Sequence, residues 1–383
     1  MGMLMAFRVL AGAGAAAVQS VGAGTIGDMY IPTKRGVAIS YFYLGPLVGP
    51  LVGPLAGGAI VERWGWKGTQ WFMVIIGAVI LMLLLFLLPE TLREEEIPSF
   101  QKVPTKTSEQ EKTEAPLDRV LTGTEENVPD SKPDAATTAL QEFNMANPSR
   151  KAFLLFVRPL KSVKFLTYPP VLLAISYNGF CFFCLYFLNV SIESLYTGAP
   201  YNFSPVIVGL MYLPNTIGYI ISSVLSGRYS DKVVRSVKAA NNGVFIPEAR
   251  FAAHVFIGAI MYPLALILFG WTAQYRVFWF VPLIGSFLYG MSSMIIFGTC
   301  MTYLVDALPG RGSSGVAVNN LVRMVLAAVS TFIAQPMQES KLGFNWLYML
   351  WGLSGLCSIV LLFSIRKWGN KWRTRADFQK LYS

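Results

Sequence analysis

Histidine is almost missing from this chain of 383 residues, His254 being the single one. That scarcity excludes His-rich metal clusters and Ser-His-Asp nucleophile sets, and with no phosphate-cradling glycine loop the chain does not read as an enzyme. Cysteine is scarce too. Cys181, Cys184, Cys300 and Cys357 all lie in apolar stretches and leave no paired set for an extracellular disulfide framework. Cys181-x-x-Cys184 has metal-ligand spacing, yet no histidine or second pair accompanies it, so inert packing is expected, with no metal and no cofactor. Acid is thin outside one hydrophilic segment: Asp28, Glu62, Glu90, Glu193, Asp231, Glu248, Asp306, Glu339 and Asp377 all fall at the ends of apolar stretches or between them. A proton carrier needs a carboxylate or histidine whose pKa is moved by burial or by a charged partner, and no such group is central to an apolar stretch. His254 begins one and is expected at the surface.

What is abundant is apolar. Hydrophobic residues make up 54% of the chain, charged residues 14%, and the mean hydropathy is +0.50, which is too apolar for a soluble domain with a charged coat. The chain reads as an all-α polytopic membrane protein with the lipid bilayer as its surroundings. Its formal charge of +10 does not point to nucleic acid, because the basic residues sit between the apolar stretches. Nine stretches of about 20 apolar residues, the length that crosses a ~30 Å hydrocarbon core, cover 5–27, 37–60, 70–88, 168–190, 205–226, 252–273, 277–304, 313–335 and 345–365. Residues 1–92 make three spans, 93–164 a charged linker expected to be mostly disordered, 165–366 six spans, and 367–383 a basic tail. The last part of the linker, from Lys151 to Lys161, is expected either as a short helix on the membrane surface or as coil.

Positive charge orients the spans. Lys34 and Arg35 follow the first, Arg228, Lys232, Arg235, Lys238 and Arg250 follow the fifth, and Arg366, Lys367, Lys371, Arg373, Arg375 and Lys380 follow the ninth, while alternate loops hold only Arg63 with Lys67, Arg276, and Lys341. Those richer loops and the C-terminus are expected in the cytoplasm, most readily under the plasma membrane. Three spans, a linker and six spans become six plus six if three more precede Met1, so upstream spans are expected to be missing. From Gly45 to Gly58 runs a Gly-Pro array of fourfold spacing. Pro46, Pro50 and Pro54 crowd the carbonyls of Phe42, Pro46 and Pro50 at roughly 3 kcal/mol apiece in an ordinary helix. In a bilayer the segment stays helical nonetheless, and Gly45, Gly49, Gly53 and Gly57 form a row where another helix is expected to pack closely against a bent one.

These residues resemble the major facilitator superfamily, and within it the twelve-span fungal drug:proton antiporters. The array ending Gly53-Pro54-Leu-Ala-Gly57-Gly58 is similar to that group's fifth-span antiporter motif. Arg8-Val-Leu-Ala-Gly12 is similar to its fourth-span Arg-x-x-x-Gly motif, in which an arginine is implicated in proton transfer. Gly227-Arg228-Tyr-Ser-Asp231-Lys232 resembles the second copy of a cytoplasmic gate loop, Gly-x-Leu-x-Asp-Arg. The resemblance numbers the nine spans four to twelve and implies a major facilitator fold with an incomplete N-terminal bundle. It implies exchange of protons for drug-like or polyamine-like organic solutes, by a monomer working through alternating access. A sugar facilitator is disfavoured by the fifth-span array; a truncated, non-transporting membrane protein is the alternative.

Intramembrane charge marks Arg8 and Arg323 as candidates. Asn319, Asn320 and Arg323 lie at helical spacing, where they either line a cavity or bond a neighbouring helix. Tyr177, Asn178, Tyr186, Tyr212, Asn215 and Tyr289 are expected to line a roomy apolar cavity suited to amphipathic or cationic solutes. Asp28 and Asp306 are expected to cap helix ends or tie gates, and Asp231 to pair with Arg228 or a basic neighbour.

Overall fold

The computed structural model describes residues 11–12, 14, 18–19, 21–27, 29–87, 159–244, 246–308, 311–340 and 342–373. Arg8, Asp28 and nearly all of the linker lie outside them, as does about half of the first expected span. The described residues are helical. Helix α1, Pro32–Leu87, has 56 residues and would run about 84 Å if straight, far longer than a bilayer core needs. Gly65 divides it, with φ 66° and ψ −175°, a backbone setting that only glycine adopts at little cost.

The Gly-Pro array behaves differently from the expectation drawn from sequence. The helix passes through Pro46, Pro50 and Pro54 with helical dihedrals, so its sharp break is at Gly65 and not in the array. Nor does any described helix press on the glycine row: a Cβ built on Gly45, Gly49, Gly53 or Gly57 would meet nothing within 4 Å, and one on Gly58 would touch only Val206 at 3.5 Å. The close approach lies nearer the start of α1. There a Cβ on Gly227 would stand 3.0 Å from the Val37 backbone, and Ser223 Oγ donates to the Ser40 carbonyl at 3.0 Å. Ile39 and Tyr43 are fully buried on the same face. A row of small residues permits a close approach without naming the helix that makes it, and no described helix occupies this one. Beyond Gly65, the span Arg63–Leu87 has no buried residue in its most apolar window.

The remaining helices are α2 (Pro169–Thr197), α3 (Pro205–Leu210), α4 (Leu213–Ala240), α5 (Ala253–Gln274), α6 (Val281–Ala307), α7 (Gly312–Gln338) and α8 (Gly343–Arg373). With α3 and α4 counted as one stretch, six candidate spans follow the linker, and 63–87 makes seven among the described residues. The six agree with the hydropathy reading in number and order. Their main departure is α4, which continues to Ala240, so the expected gate loop from Gly227 to Lys232 is helical. Nothing in that motif breaks a helix; the turn comes at Asn242 and Gly243, with φ 49° and 86°.

Helix α6 is the centre of the bundle, packed by α4 and α5 along most of its length, while α2 lies on α7 and α5 on α8. Glycines permit the closest of these contacts: a Cβ on Gly218 would stand 2.5 Å from the Phe287 carbonyl oxygen. At the end of the bundle where α2 finishes, Tyr196 donates to the Trp279 carbonyl at 2.6 Å and Tyr201 to that of Val277 at 2.5 Å. With Phe203 they form an aromatic cluster of the kind found at membrane interfaces.

Candidate functional site

Two polar layers interrupt the apolar core. The first is ionic and sits at the end of the bundle where α1 begins and α6 finishes. Arg250 occupies the short turn Pro247–Arg250 between α4 and α5, and its side chain is 0% exposed. Its Nε donates to Asp306 Oδ2, its Nη1 to Ser230 Oγ at 3.0 Å and Asp231 Oδ1 at 3.4 Å, and its Nη2 to the Pro32 carbonyl at 2.6 Å. Asp306, next to the last residue of α6, also accepts from Arg35 Nη1, whose Nη2 reaches the Gly27 carbonyl at 2.6 Å. Asp231 in turn accepts from the backbone N–H of Gly36 at 2.9 Å and of Val37 at 3.0 Å, placing negative charge near the N-terminus of α1.

Two cations and two anions thus form one chain of contacts, nearly dry and formally neutral. Bringing such charges out of water is costly, and the cost is offset only when each is paired and hydrogen-bonded; removing one partner from such a buried pair costs roughly 3–5 kcal/mol. The geometry also needs glycine. A Cβ on Gly36 would stand 2.5 Å from Asp231 Oδ1 and 3.2 Å from Arg250 Nη1.

Asp231 takes Arg250 for its partner, the basic neighbour, and not Arg228. Arg228 and Lys232 are exposed, because one helix face can hold only part of the motif: Gly227 and Asp231, four residues apart, point inward. Arg35 and Arg250 read in the sequence as ordinary loop charge. The available signal was the scarcity of acid, since a buried carboxylate in a chain with few of them calls for a cation nearby.

The second layer lies between α1, α2, α6 and α7. Arg323 is 1% exposed; its Nη2 donates to Gln19 Oε1 at 2.7 Å, and its guanidinium lies 4.3 Å from the centroid of Phe182 and 4.7 Å from that of Phe297. Among the described residues its Nε has no hydrogen-bond partner, and neither does the buried hydroxyl of Tyr43, whose ring meets Phe297 edge to face at 4.7 Å. One helical turn from Arg323, Asn319 Oδ1 accepts from Asn178 Nδ2 at 3.0 Å, so Asn319 bonds a neighbouring helix.

Among the described residues, most of the side chains expected to line a roomy cavity lie in packed surroundings. A cavity of about 10 Å³, room for one water, is lined by Asn178, Cys181, Phe182, Leu185, Ser293 and Phe297. Of the expected lining residues only Asn178 is among them. Tyr177 and Tyr289 pack against Tyr262 with ring centroids 6.3 and 6.2 Å away, and Tyr186 packs on Phe182 at 5.2 Å. Asn215 donates to Tyr219 Oη at 3.2 Å. Interlocking rings fill the space that their sizes alone suggested would be open. Tyr212 donates to the Asn189 carbonyl at 2.9 Å. His254 also departs from expectation: it is half-buried against the Tyr229 ring at 4.8 Å rather than at the surface. Gly12 is exposed with open space around it, and no contact assigns it a role. Among the described residues no cluster of His, Cys, Asp and Glu has the geometry to hold a metal ion.

Several known proteins are similar to this chain in sequence. Over 99% of its length the chain is 34% identical to the MFS antiporter QDR3 of Candida albicans, matching 66% of that protein. It is 33% identical to Quinidine resistance protein 3 of Saccharomyces cerevisiae over 99% of this chain and 70% of that one. It is also 33% identical to the MFS transporter OpS2 of Beauveria bassiana, over 95% of this chain and 99% of the relative. The chain therefore spans about two thirds of the length of the two yeast relatives. These relatives are transporters and not enzymes, and the helices that match them are those of a multi-pass integral membrane protein. Residues 1–331 match the model of the Major Facilitator Superfamily, and the chain belongs to that family.

Proposed function

We propose that this chain works as a secondary active transporter that exports drug-like organic solutes in exchange for protons, by alternating access. The observation that carries the reading is the buried ionic cluster. It joins the start of α1 to α4, to the turn before α5 and to the end of α6, residues far apart in sequence. It does so through discrete ion pairs beside the apolar packing of α1, and such contacts exchange as a unit between two packed arrangements. The positive-inside pattern orients this end, and the C-terminus, to the cytoplasm. In this orientation the cluster is a cytoplasmic latch, closed when α1 is docked, and the bundles rock about a midplane site to open it.

The antiporter name of one relative supports transport by exchange. The working form is a monomer in the plasma membrane. Polyamine-like cations fit less well than other drug-like solutes, because the ring faces of Phe182 and Phe297 that would attract a cation are occupied by Arg323. The test is efflux from vesicles under an imposed pH gradient. A flux that stops when a protonophore collapses the gradient is expected; an intact, membrane-inserted protein with no gradient-driven flux of any solute would contradict the reading.

A further inference from the structure

We propose that the transported solute carries a carboxylate on an aromatic or apolar body, and that Arg323 receives it. The proposal rests on the transport reading above and narrows its substrate. Arg250 shows how this chain neutralises a buried guanidinium, with two carboxylates, a hydroxyl and a carbonyl. Arg323 is buried as deeply but has one amide oxygen, from Gln19, and two aromatic faces. Among the described residues no carboxylate lies within ion-pair distance of it. A guanidinium has five N–H donors, and a planar fork left partly unfilled fits a carboxylate with two parallel bonds.

The surroundings select the same ligand. Phe182 and Phe297, which flank the guanidinium, also line the small cavity, so the space next to the charge has aromatic walls. The Tyr43 hydroxyl is buried and unpartnered among the described residues, and its ring touches Phe297, the same ring on which Arg323 rests, so it offers a neutral donor for a second carboxylate oxygen. One cation and one neutral donor suit a single negative charge better than a phosphate dianion. A cationic solute would meet uncompensated repulsion in a dry site. Tyr43 is carried by α1 and its ring rests edge to face on Phe297, so α1 packs against one wall of the small cavity between α2 and α6.

The test uses the purified full-length protein and three solutes of one body: 3-phenylpropionate, its primary amide and 3-phenylpropylamine, with charges of about −1, 0 and +1 at neutral pH. Equilibrium binding is measured by scintillation proximity, and gradient-driven flux of the same solutes is measured in proteoliposomes. The carboxylate should bind about tenfold or more tightly than the amide, and the amine most weakly, as a charge-assisted pair implies. Arg323→Gln should lose the carboxylate advantage, and Arg323→Lys should keep part of it. Gln19→Ala, which frees one arm of the guanidinium and leaves the charge in place, should hold or tighten carboxylate binding. If Arg323→Gln does not fold, the wild-type panel and Gln19→Ala decide.

Equal affinity for the three solutes, preference for the amine, or undiminished carboxylate binding by Arg323→Gln would overturn the proposal. Wild-type preference for the amine would mean that a carboxylate of the protein itself already neutralises Arg323. Carboxylate binding that depends on Arg323 but comes with no flux would support the site and remove the transport reading. Amine or amide flux without carboxylate preference would do the reverse.

Discussion

Arg250 and Arg323 are both buried to within 1% of complete, yet their surroundings share almost nothing. Arg250 is enclosed by Asp306, Asp231, Ser230 and the Pro32 carbonyl, and with Arg35 it completes a neutral cluster. Arg323 rests between two rings and one glutamine. A fully paired buried charge holds helices in place, whereas one with donors to spare is available to something that comes and goes. Burial alone would have put both in one class; the inventory of partners separates them.

The largest effect should come from breaking the paired arginine's cluster. Asp306→Ala leaves Arg35 and Arg250 without their shared carboxylate and should cost roughly 3–5 kcal/mol, seen as loss of folded protein in detergent and of flux in vesicles. A loss near zero would show the cluster to be ornamental. Next comes Gly36→Ala, whose Cβ would strike Asp231; it should destabilise by about 1–3 kcal/mol in a reversible unfolding assay.

A double-mutant cycle on Arg35 and Asp306 should give a coupling of about 0.5–3 kcal/mol, below the full cost of losing Asp306 because Arg35 is partly exposed. Asn178→Ala, removing one neutral bond near Arg323, should cost about 0.5–1.5 kcal/mol. Gly49→Ala should have the smallest effect, within about 1 kcal/mol and favourable, since its Cβ enters open space and alanine suits a helix better. Loss of stability there would show that the Gly-Pro row meets a helix outside the described residues.

Much of this was legible before the structure, for a physical reason. Crossing a bilayer is a property of one segment at a time, so the six spans after the linker could be counted from local hydropathy, and α2 at Pro169–Thr197 matches the stretch expected at 168–190. Partner choice is a property of two segments. The contact between Arg35 and Asp306 spans 271 residues, and nothing local to either residue announces it. Asp306 was expected at a helix end or a gate because a lone acid there invites those roles, but its two arginines were hidden among loop charges. The Gly-Pro row has the same limit: spacing shows that a face is smooth, while which helix meets it depends on the facing segment, and among the described residues the close contact of α1 is with α4 near Gly227. Counting rings likewise does not reveal whether they line an opening or interlock, as Tyr177, Tyr262 and Tyr289 do here.

The most direct measurement is a thermal unfolding scan of Arg250→Gln and Arg323→Gln side by side in the same detergent. Replacing Arg250 should lower the midpoint sharply, since Asp231 loses its ion-pair partner and Asp306 keeps only the part-exposed Arg35, and replacing Arg323 should leave it unchanged or raise it, since a buried charge with no ion-pair partner among the described residues is removed. A sharp loss on replacing Arg323 with little change on replacing Arg250 would contradict the division of labour between them.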